Sequence, residues 1–177
     1  MKENAKQIIC GLATFLTSSL PLKFSALDLE IGFKYSQKQT KPYFALSETY
    51  QEKKLVLTGE VEKVKESPLA LKLTGIYSLN KNYFVSSLIQ IGVNSSFEPL
   101  YYITFVGLGK GIGKGSIVVG PGMLTTAENI SYNGSVLGSY ELGEKVKLSG
   151  FFTVPVKSSN KTIVQGGIIY KIYKLKK

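Results

Sequence analysis

The sequence has no histidine, no tryptophan and no arginine, one cysteine (Cys10) and one aspartate (Asp28). Without histidine, neither a Ser-His-Asp set nor an imidazole metal site can be assembled. A single thiol cannot close an intrachain disulfide, and no cysteine metal cluster can be built around it. The missing arginine also carries meaning, because all 22 basic residues are then lysine. Arginine offers the planar fork that grips bases and phosphates bidentately, whereas lysine is a strongly hydrated point charge. The formal charge of +10 therefore implies diffuse attraction to anionic surfaces and not base-specific reading.

Long apolar runs are scarce as well. The longest, over 8–22, is interrupted by Thr and Ser and falls short of the roughly 20 apolar residues of a spanning helix. Lys2 and Lys6 precede it and Phe24-Ser25-Ala26 follow it, which is the order of a secretory signal. We therefore expect a signal peptide over 1–26 and one mature domain over 27–177, with an uncleaved anchor as the alternative. The cleavage position stays open: a break after Ala26 would put Phe24 where a small residue belongs, and breaks after Ser19 or Ser25 compete. Cys10 lies inside the run, and Gln7-Ile8-Ile9 before it lacks the small residues of a lipidation site, so Cys10 reads as a small apolar side chain. The mature domain would contain no thiol and would remain basic.

From Leu27 onward the dominant pattern is alternation with a period of two. Leu27, Leu29, Ile31, Phe33 and Tyr35 alternate with Asp28, Glu30, Gly32, Lys34 and Ser36, which separates large apolar from small or charged side chains without exception. Comparable runs span 42–49, 54–64, 69–79, 83–93, 100–108, 116–120, 129–142, 145–154 and 162–173. Glu66-Ser67-Pro68, Asn80-Lys81-Asn82 and Gly143-Glu144 read as turns. Asn133-Gly134 is ambiguous, since it suits a type I′ hairpin turn and also continues an alternating strand. No crossover helix is indicated. The expected fold is all-β: an antiparallel meander of about 8–10 strands, closed into a small barrel because closure removes exposed edges.

Alternation alone does not say which way the bulky face points. In a soluble barrel it fills the interior, and in a membrane barrel it meets lipid while polar side chains fill the lumen. The bulky faces (Leu69, Leu71, Leu73, Tyr77; Tyr83, Val85, Ile89, Ile91, Val93) oppose small or polar ones (Ala70, Lys72, Thr74, Ser78; Ser86, Gln90, Gly92), as suits a narrow lumen. Tyr43, Tyr77, Tyr83, Tyr101, Tyr102, Tyr170 and Tyr173 fall near strand ends, where interfacial girdles form. Against lipid stands the final Tyr173-Lys174-Leu175-Lys176-Lys177, which does not end on an aromatic residue.

Candidate chemistry is sparse. Gly107-Leu108-Gly109-Lys110-Gly111-Ile112-Gly113-Lys114-Gly115-Ser116 resembles a phosphate loop only superficially: Gly115 separates Gly-Lys from Ser, and Lys114 occupies the third glycine of the dinucleotide spacing. It reads as a flexible loop or glycine-bent strand whose Lys110 and Lys114 are candidate contacts to an anionic partner. Glu60 and Glu62 project from one strand face roughly 7 Å apart, a separation within the range of inverting glycosidases. Catalytic pairs usually come from different segments, so a charge-paired structural role with Lys63, Lys65 and Lys72 is the expectation. No catalytic, cofactor or metal residue is assigned. The expected role is that of a non-enzymatic outer-membrane barrel, a structural envelope component or narrow pore whose partners are outer-membrane lipid or an anionic envelope surface, not nucleic acid. The alternative is a soluble secreted β-barrel or β-sandwich, periplasmic or extracellular, holding an apolar or anionic ligand against a buried bulky face.

Overall fold

The computed structural model describes residues 24–36, 39–156 and 162–174. Residues 1–23, which hold most of the expected signal segment, and the final 175–177 lie outside that set. The strands are β1 (Phe24–Ser36), β2 (Gln39–Glu52), β3 (Leu55–Val64), β4 (Leu69–Ser78), β5 (Tyr83–Val93), β6 (Pro99–Ile112), β7 (Gly115–Thr126), β8 (Ile130–Glu141), β9 (Val146–Pro155) and β10 (Ile163–Lys174). Each pairs antiparallel with its neighbours in sequence, and β1 pairs with β10, so the ten strands form a closed barrel. The meander follows from short connections and period-two patterning, and closure gives both edge strands a partner.

The bulky face points outward. On β1, Ile31, Phe33 and Tyr35 are exposed while Gly32 is buried; on β4, Leu73 and Tyr77 are exposed while Ala70 is buried. Every strand carries such a side chain outside: Ile31, Phe44, Leu55, Leu73, Ile89, Leu108, Val119, Tyr132, Phe152 and Ile168, in strand order. The expectation attached to the alternative reading, that the bulky face is buried, is thereby corrected.

Asn133-Gly134 lies within one continuous strand. Gly134 pairs with Pro121 on β7 and with Val154 on β9, and neither Asn133 nor Gly134 has the positive φ that a type I′ turn demands. The glycine-rich stretch is also mostly strand. Its only reversal is 113–114, where Gly113 adopts φ 58° between the paired Ile112 and Gly115. Gly107, Gly109 and Gly111 face inward while Val106, Leu108 and Lys110 face outward. An inward glycine leaves floor space for a ring from the next strand: a Cβ at Gly109 would stand 2.2 Å from the Phe84 ring, and one at Gly92 would stand 2.0 Å from the Tyr101 ring.

Tyrosine positions split. Tyr77, Tyr83, Tyr102 and Tyr170 point outward near strand ends as expected, joined by Tyr35, Tyr132 and Tyr140. Tyr43 and Tyr101 instead face the lumen, because each sits on the inward parity of its strand; Tyr43 is buried and Tyr101 half-buried. The side chain of Tyr173 lies outside the described residues.

The turns 53–54, 79–82, 113–114 and 142–145, with the start of β1 and the end of β10, form one rim, here called the terminal rim. Turns 65–68, 94–98 and 127–129 lie on the other. In the second of these, Asn94 Oδ1 accepts hydrogen bonds from the Ser96 and Glu98 amides, both at 2.9 Å, and Phe97 takes φ 62°.

At β6–β7 the ladder passes Pro121, which cannot donate, and a Cβ at Gly120 would stand 2.1 Å from the Val106 carbonyl oxygen. Replacing Gly120 with valine should destabilise the barrel by about 1–3 kcal/mol or more, read as a lower urea midpoint. Gly143→Ala, in a turn where a Cβ meets nothing within 4 Å, should leave the midpoint unchanged within error.

Candidate functional site

Ten inward-facing strand surfaces meet in the lumen, and their side chains sort into two walls. On β5–β8, Leu88, Phe105 and Val118 are buried together and packed against Phe84, Ile103 and Leu137. On the β9–β10–β1–β2–β3–β4 side the lumen is charged. The apolar wall needs no partners, whereas each buried charge opposite it must find one.

Glu62 is the centre of the charged wall. Its side chain is 1% exposed, and it accepts from Lys34 Nζ at 3.0 Å, Lys72 Nζ at 3.0 Å and Gln165 Nε2 at 2.8 Å. Lys72 also donates to Glu60 at 2.6 Å, and the two residues are direct cross-strand partners. Lys34 on β1 reaches Glu62 on β3 across β2, where the buried Ala45 is the cross-strand partner of both Glu30 and Glu62. Alanine at that position leaves the passage open; a longer side chain would stand between them.

Glu30 is held separately. It accepts from the Tyr43 hydroxyl at 2.6 Å and from Ser149 Oγ, which joins β1, β2 and β9. Gln90 donates to the Tyr101 hydroxyl at 3.2 Å, and Ser116 and Ser139 share a hydrogen bond at 2.9 Å. Asp28 Oδ1 is buried without a hydrogen-bond partner, and Lys171 is its cross-strand neighbour. Lys171 in turn pairs with Glu141 at 3.1 Å.

Each strand sends at least one buried residue into the ring: Gly32, Tyr43, Glu62, Ala70, Gln90, Phe105, Val118, Ser135, Thr153 and Gln165, from β1 to β10. Together they fill a belt of the lumen. Toward the terminal rim the filling loosens into a cavity of about 210 Å³. Its charged side is Glu30, Glu60, Lys72 and Lys147, its apolar side Ile76, Phe84, Leu88, Val118 and Leu137.

The two glutamates singled out from the sequence are both bound by the Lys72 ammonium, and Glu60 also lines the cavity. Lys72 supplies the compensation expected of it. Lys63 and Lys65 do not, because Lys63 donates to the Ser67 carbonyl and Lys65 lies beside Glu66 at 4.0 Å in a turn. Lys110 and Lys114 are outside the lumen: Lys110 Nζ sits 5.5 Å from the centre of the Tyr83 ring, and Lys114 is exposed in the 113–114 turn. Lys34, Gln165, Tyr43 and Ser149 were not legible as members of one network. The available signal was parity, since each lies on the face opposite the bulky side chains of its strand.

No family model and no curated protein sequence matches the chain. Among solved structures, a mutant porin of Rh. blastica is similar at 12% identity and TM-score 0.39 over 85% of this chain and 53% of the porin. Another porin gives 11% identity and TM-score 0.43 over 83% of this chain and 58% of that one. The designed protein TMB2.3 gives 12% identity and TM-score 0.43, with 85% of this chain and 96% of the design covered. The chain spans about half the length of the Rh. blastica porin it matches.

Removing Lys72 leaves Glu60 without its cation and Glu62 with only one. Lys72→Met should therefore cost about 3–5 kcal/mol in urea unfolding, the range for breaking a buried pair from one side. Glu62→Gln should cost less, because Lys72 keeps Glu60. Midpoints of both variants equal to that of the unsubstituted protein would show that the network contributes no charge compensation.

Proposed function

We propose that this chain is a small outer-membrane β-barrel of a diderm bacterium, a non-enzymatic structural component of the envelope whose lumen is closed. The observation that carries this reading is the outward bulky face on every strand of a closed ring: Ile31 is 60% exposed, Leu73 50% and Leu108 68%. A soluble monomer rarely exposes a contiguous apolar patch of more than a few hundred Å², and here the apolar surface encircles the molecule. Closure supports the same reading, since in hydrocarbon every backbone N–H and C=O needs an internal partner.

Strand lengths of 10–14 residues span a bilayer when tilted. Outward aromatic residues form two bands, Tyr77, Tyr83, Tyr140 and Tyr170 toward the terminal rim and Tyr35, Phe44, Tyr102 and Tyr132 toward the other, the placement of interfacial girdles. The described turns are all short, and none of them is large enough to carry a substrate site. Of the two roles, structural component and narrow pore, the filled belt around Glu62 and Phe105 supports the first.

The protein should require detergent and migrate faster unheated than boiled on a gel; a monodisperse monomer in plain buffer would refute the membrane reading. Leu73→Lys separates lipid from water directly. At mid-strand on the outer face it should cost about 2–4 kcal/mol in vesicles, whereas in a soluble protein an exposed lysine costs almost nothing. In planar bilayers the inserted barrel should pass no steady current; a stable open level would assign it a pore.

A further inference from the structure

Exposed lysine recurs around the terminal rim in a way that hydrophobic patterning alone does not require. Every hairpin turn of the terminal rim carries exposed lysine: Lys53 and Lys54, then Lys81, then Lys114, then Lys145. Among the described residues, none of these five side chains takes part in an ion pair. Two of that rim's carboxylates are engaged, Glu52 by the Tyr50 hydroxyl and Glu141 by Lys171; Glu144 is exposed. The described turns of the opposite rim hold Glu66, Glu98 and Glu128 with Lys65, which lies beside Glu66, while Lys38, Lys157 and Lys161 belong to that rim's connections outside the described residues.

The lysines stand next to the aromatic band of the same rim, and Lys110 Nζ already lies over the ring of Tyr83. A lysine at that depth carries its stem along apolar surface and its ammonium at headgroup level. Clustered lysines beside a membrane are the footprint of anionic lipid attraction, with up to about a fivefold gain in association per residue. The absence of arginine fits a diffuse headgroup layer better than a bidentate site.

We infer that the terminal rim is a binding surface for anionic phospholipid headgroups, gathered around the barrel by Lys53, Lys54, Lys81, Lys110, Lys114 and Lys145. This rests on the membrane-barrel reading.

The test uses the full chain refolded into phosphatidylcholine vesicles containing a minor share of either brominated phosphatidylglycerol or brominated phosphatidylcholine. Tryptophan is absent, so tyrosine emission reports quenching, and the ratio of the two quenching curves gives relative association. At low salt the ratio should favour phosphatidylglycerol several-fold. It should fall toward one at about 1 M salt, where the Debye length is about 3 Å. It should also fall in a variant combining Lys53→Gln, Lys54→Gln, Lys81→Gln, Lys114→Gln and Lys145→Gln, with fast unheated migration showing that this variant is folded.

An inserted wild-type barrel with a ratio of one at low salt overturns the proposal, as does a preference that survives in the folded variant. If that inserted barrel is also retained on an immobilised polyanionic glycan and the variant is not, the rim serves a soluble polyanion instead. Failure to insert in either vesicle, seen as loss of the gel shift, is a different result and removes the membrane reading itself.

Discussion

Closure of the sheet between β1 and β10 is the constraint from which the remaining features follow. Eleven residues of β1, from Ala26 to Ser36, find partners on β10. Because the ring has no edge, backbone polar groups between the rims find partners on neighbouring strands, apart from irregularities such as the β6–β7 ladder at Pro121, and the outer surface is free to be apolar. The same closure makes the inside small. An inward side chain then has either to be tiny, to pack against another, or to bring its own electrostatic partner.

All three solutions are present, and they are segregated. Gly92 and Gly109 make room for rings, Phe105 packs with Leu88 and Val118, and Glu62 draws in Lys34, Lys72 and Gln165. Segregation matters because buried ions are stabilising only when each has its partner, and a mixed lumen would leave charges facing Leu and Val. The network also reaches across non-adjacent strands, as from β1 to β3 and from β9 to β1, so it cross-braces a ring otherwise joined only by nearest-neighbour ladders.

Much of the fold was legible from residues. The run from Leu27 to Tyr35 and the one from Leu69 to Tyr77 became strands with the expected faces, and Glu66-Ser67-Pro68 and Asn80-Lys81-Asn82 became turns. Asn133-Gly134 was not decidable, because its residues suit both a turn and a strand; its neighbours on β7 and β9 settled it. Among the site residues, Glu60, Glu62 and Lys72 were legible as a charge group because they lie on adjacent strands of one hairpin. Lys34 and Gln165 were not, since Lys34 reaches Glu62 over the intervening β2 and Gln165 approaches it only through closure, from 103 residues away in sequence.

The sequence by itself determined the alternation, the approximate strand boundaries, the shortness of the turns and the poverty of catalytic side chains. These are local properties, written in side-chain volume, polarity and φ preference over a few residues. The tertiary structure alone decided that the greasy face points outward, that the lysines of four separate turns share one rim, and that Glu62 sits among donors from three other strands. Each of these depends on how far the sheet curls before its ends meet. That curl is a property of all ten strands at once and of no segment alone.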